Sequence, residues 1–200
     1  MNENLKRLEL ILKQDISESI FIIESDGVIV DCSDFTGSID LDKIILDNFD
    51  NGGFLTNVTF VLGDNIELIA EYQHINVIFG SECQIYVDTE NEFEHETKGI
   101  EITGKDNNIV KVGKNVTIKL NSNNEIYSGD NCKIIVEDYN FIEIVEDFGK
   151  SYLEEMVNIA AKNNTYIILP LMDNHKNNEN DITVGVNSTI CPKGYYINFK

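Results

Sequence analysis

The sequence has no tryptophan, two prolines and a single arginine, Arg7. Bases are scarce as a class: 15 Lys and Arg stand against 35 Asp and Glu, for a formal net charge of −20. So few bases cannot replace the counterions of a nucleic acid or an anionic lipid surface, which excludes direct binding to DNA, RNA or membrane as a function class. Long apolar runs are missing too, and none approaches the roughly 18 residues that a membrane-spanning helix requires. The opening MNENLKRLEL lacks a basic segment followed by an apolar run and a cleavage site. No secretory leader is therefore expected. The expected location is the cytoplasm, meaning the host cytoplasm or the virion if the chain is virus-encoded.

Catalytic and metal-binding signatures are also lacking. There is no P-loop, dinucleotide fingerprint, Gly-x-Ser-x-Gly or His-Glu-x-x-His. Cys32, Cys83, Cys132 and Cys191 share no metal-ligand spacing and form no Cys-x-x-Cys. Cys83 and Cys132 fall at the same inward place of the repeat described below, as small core residues, which matches a reducing compartment. His74 precedes a β run, His95 lies in the acidic run 90 to 96 and His175 in a polar loop over 173 to 181; all three read as solvated surface groups. No catalytic residue, metal ligand or cofactor is expected, and the chain reads as a non-enzyme.

What is present is a repeat. Hydrophobic content of 42% and charged content of 25% are those of a folded domain. Leu5, Leu8, Ile11, Leu12 and Ile16 fall at helical spacing, predicting an amphipathic helix over 3 to 16. From Ser19 onward the pattern becomes short β-branched runs separated by Asp, Asn and Gly. Four runs align on Gly63, Gly80, Gly113 and Gly129: Phe-Val-Leu-Gly-Asp-Asn-Ile-Glu-Leu, Val-Ile-Phe-Gly-Ser-Glu-Cys-Gln-Ile, Val-Lys-Val-Gly-Lys-Asn-Val-Thr-Ile and Ile-Tyr-Ser-Gly-Asp-Asn-Cys-Lys-Ile. A degenerate copy near Thr97, with Ile100 and Ile102 at its inward places, makes the intervals 17, 17, 16 and 16. A further copy surrounds Gly185.

One such unit cannot bury its own apolar face, whereas units stacked at strand spacing form a continuous core. The expected fold is mainly β: a parallel β-solenoid of 16- to 17-residue coils whose Gly-x-Asn corners use the left-handed backbone open to Gly and Asn. An antiparallel meander or sandwich is the alternative, because two strands and two turns repeat at a similar length. Ser151-Tyr152-Leu153-Glu154 reads as a capping box opening a helix that carries Met156, Val157, Ala160 and Ala161 on one face. A strand over 166 to 169, stopped by Pro170, and a last strand over 194 to 199 follow. The expected organisation is an N-terminal helix (1–18), a solenoid (19–148) and a helix-and-strand cap with one further repeat-like unit (149–200).

The segments Leu-Gly-Asp-Asn, Val-Gly-Lys-Asn, Ser-Gly-Asp-Asn and Val-Gly-Val-Asn at Gly63, Gly113, Gly129 and Gly185 resemble the hexapeptide-repeat, left-handed β-helix proteins. Their look is nearest to bacterial polysaccharide O-acetyltransferases, over residues 57 to 136 and 182 to 190. That resemblance implies an acyl-CoA donor, a sugar acceptor and a trimer with sites between subunits. No histidine here falls in a segment like the family's catalytic one, so no catalytic residue is carried over.

Two acidic zones are the candidate partner-binding residues. Glu90, Glu92, Glu94 and Glu96 alternate along one run, with Glu101 close by, and Asp40, Asp42 and Asp47 belong to a second zone with Asp26, Asp31, Asp34 and Asp50. Stacked acids imitate the phosphates of a nucleic acid; they also serve as the polar outward positions any solenoid needs. The expected partner is a basic protein surface, such as that of a nucleic-acid-binding protein. A virus- or mobile-element-encoded inhibitor fits this expectation. A spacer in a phage or another large assembly and a hexapeptide-type sugar acyltransferase are the alternatives, and homo-oligomer formation is compatible with each.

Overall fold

Alternating side chains decide the architecture. Ile66–Ala70 and Val116–Leu120 each bury their first, third and fifth residues and turn the others outward, which is the period of a strand with one face in a core. The computed structural model describes residues 22–48, 54–70, 73–87, 100–129, 131–145, 157–169 and 181–192. Within them the strands form two eight-stranded sheets. The first takes β1 (Ile22–Cys32), β3 (Phe54–Leu62), β5 (His74–Ile78), β7 (Ile100–Gly104), β9 (Val116–Leu120), β11 (Lys133–Val136), β13 (Asn158–Ala161) and β15 (Asp181–Val184). The second takes β2 (Gly37–Asp40), β4 (Ile66–Ala70), β6 (Gln84–Val87), β8 (Ile109–Val112), β10 (Glu125–Ser128), β12 (Phe141–Ile144), β14 (Tyr166–Leu169) and β16 (Thr189–Pro192).

Every pairing is parallel, and each strand pairs with the strand two places away in the chain. This is a parallel β-solenoid with two strands per coil. Because β3 pairs with β1 and β5 rather than β4, the antiparallel meander is excluded. One apolar cluster fills the space between the sheets, with Leu55, Phe60, Leu68, Ile85, Ile102 and Ile118 fully buried. An α-helix, α1 (Leu41–Asn48), follows β2 and tucks Leu41 and Ile45 into the same cluster.

The stack continues past 148 through β13, β14, β15 and β16, in the stretch expected to hold a helix-and-strand cap with one further repeat-like unit. Residues 158–161, expected in a helix, are β13, in register with β11. Val157, Ala160 and Ala161 satisfy helical spacing, but Val157, Ile159 and Ala161 equally satisfy alternation, and the waiting edge of β11 decides between the two. The expected helix over 3–16, residues 151–156 of the C-terminal helix, the loop over 173–180 and the strand over 194–199 lie outside the described residues.

The corners from the first sheet to the second share one plan. The third corner residue is left-handed in seven coils: Asn65, Glu82, Asn107, Asn123, Tyr139, Asn164 and Asn187 have φ of 56 to 60°. Asparagine dominates because its short amide tolerates this conformation best among side-chain-bearing residues. The corner glycines serve another purpose. Gly63 and Gly80 are not left-handed; a Cβ on Gly63 would lie 2.2 Å from the Ser33 carbonyl oxygen, and one on Gly80 would lie 1.9 Å from Asp64 Oδ1. Close stacking of successive corners therefore requires glycine there.

The fourth corner residue points inward, and in three successive coils it is a buried asparagine. Asn108, Asn124 and Asn140 form a ladder. The Asn108 backbone N–H and amide donate to Asn124 Oδ1 at 2.9 and 3.0 Å, and those of Asn124 donate to Asn140 Oδ1 at 2.9 and 3.0 Å. Cys83 N–H extends the ladder by donating to Asn108 Oδ1 at 2.8 Å, and the Asn140 amide ends on the carbonyls of Asn121, Glu137 and Asp138. A second ladder runs outside it. Ser81, Ser122 and Asn163 backbone N–H groups each donate at 2.8 Å to the preceding coil's Asp64, Asp106 and Asp138. Serines Ser81 and Ser122 alternate with these aspartates, so Asp64, Asp106 and Asp138 are each separated by one uncharged coil.

Ser128 breaks the apolar pattern. It is fully buried in β10, in register with Val112 and Ile144, and its hydroxyl has no hydrogen-bond partner. Ser128→Ala removes a buried unsatisfied group and should raise stability by about 1 kcal/mol. The measurement is the urea midpoint at unchanged m; a lower midpoint would show that the hydroxyl is satisfied.

Candidate interaction surface

The acids singled out in the sequence occupy different parts of the coil. Glu101 is exposed on the outer face of the first sheet, where Lys119 of the next coil donates to it. Asp40 ends β2 in the second sheet and caps α1, accepting the Lys43 N–H at 2.8 Å, in keeping with the aspartate preference at helix starts. Asp42 Oδ1 accepts the side-chain amide of Gln73 at 2.9 Å, while Gln73 Oε1 accepts the Leu55 N–H at 2.7 Å. That relay ties α1 to β3. Asp47 lies in α1, and its side chain is not described. Glu90, Glu92, Glu94 and Glu96 fall between β6 and β7 in the chain, outside the described residues, as do His95 and His175. His74 begins β5. The structure thus puts Asp40 and Asp42 together and sets Glu101 apart on the other sheet.

Other acids hold the corners. Asp64, Asp106 and Asp138 are committed to backbone N–H groups. Asp31 accepts the Ser33 N–H at 3.0 Å, and the Ser33 hydroxyl first, then that N–H, lower the Asp31 pKa. Glu137 accepts from Lys162, and that hydrogen bond holds the lysine's pKa above its ordinary value.

The outer face of the second sheet has a different make-up. Parallel register puts Glu125, Phe141 and Tyr166 in one outward row and Tyr127, Glu143 and Ile168 in the row beside it. Phe141 and Tyr166 stack with ring centroids 5.9 Å apart and planes 10° from parallel; Tyr127 and Phe141 are tilted at 6.0 Å. Burial first, then the Glu125 and Glu143 carboxylates, raise the Tyr127 hydroxyl pKa, and that hydroxyl points to Glu125 Oε2 at 3.4 Å. Lys111 is the one base on this face among the described residues. This face is neither of the two acidic zones named from the sequence. Its signal was the outward member of each alternating triplet, Glu125-Ile126-Tyr127, Phe141-Ile142-Glu143 and Tyr166-Ile167-Ile168.

All four cysteines are buried free thiols. Cys83 and Cys132, aligned together in the sequence, sit at opposite corners of the coil: Cys83 precedes β6 in the second sheet and Cys132 precedes β11 in the first. Cys83 Sγ donates to the carbonyls of Gly63 and Ser81, and Cys132 Sγ to that of Gly113. Burial, then the charges of Asp31 and Asp34, push the Cys32 thiol up to about 11, and burial also raises Cys83. A raised pKa keeps each thiol protonated at neutral pH, and the protonated thiol is not the nucleophile. Cys32 and Cys83 should therefore react with iodoacetamide about a hundredfold more slowly in the native protein than in urea. Peptide mass mapping measures this; equal rates would contradict the burial.

Among the described residues, no group of three or more His, Cys, Asp or Glu side chains could hold a metal ion, and no helix is long and apolar enough to cross a membrane. The class defined by this geometry is the parallel two-sheet β-solenoid. Comparison with known proteins finds no matching family model, no similar curated protein and no similar solved structure.

Proposed function

We propose that this chain is a non-catalytic binding protein that uses an acidic solenoid to engage a basic surface on another protein. The observation that carries the proposal is a net charge of −20 on a scaffold whose outward side chains are held in register. A surface of this sign accelerates encounter with a basic partner and repels nucleic acid and anionic lipid. Nucleic-acid-binding proteins are the abundant basic surfaces of a cell, so an inhibitor that occupies such a groove, carried by a virus or mobile element, fits the charge. Glu90, Glu92, Glu94, Glu96, Glu101, Asp40, Asp42 and Asp47 are its proposed contact residues, acting from the cytoplasm or a virion.

The test is capture from native lysate at low and high salt, with identification by mass spectrometry. Basic nucleic-acid-binding proteins should be retained at low salt and released at high salt. A low-salt fraction without basic proteins overturns the proposal.

Two other readings each have an observation in their favour. The end strands β1, β2, β15 and β16 each have one pairing partner among the described residues, which suits a spacer that stacks end to end in an assembly. Concentration-dependent oligomers in sedimentation would support it. The Gly-x-Asn corners at Gly63, Gly113, Gly129 and Gly185 favour the hexapeptide-type acyltransferase; calorimetric binding of acetyl-CoA would support that reading.

A further inference from the structure

We infer that the outer face of the second sheet is a docking strip for Lys- or Arg-bearing polypeptide, in which Tyr127, Phe141 and Tyr166 hold the cationic side chains between the carboxylates of Glu125 and Glu143. The inference deepens the reading of the chain as a binder of basic proteins and rests on it. It moves the contact from the acid runs seen in the sequence to a face on which rings and acids are interleaved.

Three observations carry it. Parallel register makes the interleaving regular: Phe141 lies between Glu125 and Tyr166 in one row, and Glu143 lies between Tyr127 and Ile168 in the next. Each carboxylate therefore borders aromatic rings along the row and across the strand. Outward aromatic side chains are also costly to leave in water, and Tyr166 is 39% exposed while Phe141 and Tyr127 are half-buried. Finally, the face is negative. Glu67, Glu125 and Glu143 lie in its outward rows, with Lys111, in register with Tyr127, as the single base among the described residues.

Charge complementarity selects the occupant. A guanidinium or ammonium is attracted both to the face of an aromatic ring and to a carboxylate, and placing the two side by side lets one cation use both. Arginine suits the strip better than lysine, because its planar group stacks on a ring while its edge meets a carboxylate. The corner carboxylates of Asp64, Asp106 and Asp138 offer no equivalent, since each accepts a backbone N–H of the next coil and has no ring in its row. The outer face of the first sheet sets Lys119 and Lys133 against Asp31, Glu101 and Asp181 among the described residues, so its charge is nearer to balance.

The test uses the full chain, a soluble peptide of alternating Arg and Gly, a Lys-Gly counterpart and a neutral oligosaccharide. Amide shifts in a heteronuclear NMR titration with the Arg-Gly peptide should concentrate on β10, β12 and β14, with the Lys-Gly peptide binding more weakly. Phe141→Ala and Tyr166→Ala should each weaken the Arg-Gly peptide about fivefold. Glu125→Gln and Glu143→Gln together should weaken it about tenfold at low salt. Asp181→Asn, on the other sheet, should leave it unchanged. Peptide binding with shifts spread evenly over both sheets overturns the strip and leaves the basic-partner reading standing. No peptide binding at low salt removes both. Salt-independent binding of the oligosaccharide on the same strands would mark the rings as a sugar platform and also overturn the inference. The NMR titration needs no variant, so a ring substitution that unfolds the chain does not blunt the test.

Discussion

Asn124→Leu should cost about 4 kcal/mol of folding stability, a large share of what a domain of this size possesses. Asn124 is the middle rung of the buried ladder. Its Oδ1 accepts both the backbone N–H and the amide of Asn108, and its own amide donates to Asn140 Oδ1 and to the Ser122 carbonyl at 3.2 Å. Leucine has the same branched outline, is larger and supplies no polar atom. The Asn108 donors would be left in the core without an acceptor, and each stranded donor costs about 1 to 3 kcal/mol. The penalty comes from groups left unpaired rather than from the bonds removed. Thr117→Ala, on an outward position of β9, should stay within about 0.5 kcal/mol. Equilibrium urea unfolding of the two variants measures the contrast; a loss below 1 kcal/mol for the ladder variant would mean that Asn124 does not join its neighbours.

Gly63→Ala should be nearly as damaging, at about 3 kcal/mol, because the added methyl meets backbone rather than a side chain. The nearest atoms are the Ser33 carbonyl oxygen at 2.2 Å and its carbon at 3.2 Å, both part of the preceding coil's corner. They can give way only if two coils move apart, and that breaks the hydrogen bonds between them. Gly80→Ala offers a contrast: its methyl would meet Asp64 Oδ1 at 1.9 Å, the far end of a side chain. That carboxylate is pinned by the Ser81 N–H, so the substitution still costs, but Asp64→Ala should relieve much of the loss. A double-mutant cycle on Gly80 and Asp64 should give coupling of about 1 kcal/mol or more, and deleting Asp64 should do nothing for Gly63→Ala. Additive effects at Gly80 and Asp64 would contradict the corner geometry.

The inward places of the repeat could be read directly. Phe60, Leu62, Ile66, Leu68, Val110, Val112, Val116 and Ile118 are all buried, because alternation in a strand translates one to one into burial. The alignment on glycine nevertheless merged two different corners. Gly63, Gly80 and Gly185 turn the chain from the first sheet to the second, whereas Gly113 and Gly129 turn it back. Both corners use a left-handed asparagine followed by an inward residue, as at Asn65 and Asn115, so half a coil resembles the other half. The longer link between β6 and β7 then slipped the count by half a coil without disturbing an interval of about 16.

Other features carry a signal in residue spacing alone. Asn108, Asn124 and Asn140 recur at a spacing of 16, which in a coil of that length means vertical stacking. For α1, Asp40 stands at the cap with Leu41, Ile44 and Ile45 at helical spacing behind it; the many aspartates there drew attention to charge instead. The aromatic strip was harder to see, since Tyr127, Phe141 and Tyr166 are far apart in sequence and meet only once register is known. The charge of an acid could be read, but its use could not: Asp64 and Asp40 are structural through partners that only the folded chain provides.

Electron–electron distance measurements between spin labels test the in-register parallel stack most directly. Thr59, Thr117 and Asp181 occupy the same outward row, three coils apart at each step. Labels on Thr59 and Thr117 should lie about 14 Å apart, and labels on Thr59 and Asp181 about 29 Å apart, doubling with coil number at the spacing of paired strands. A second distance equal to or shorter than the first would contradict the stack.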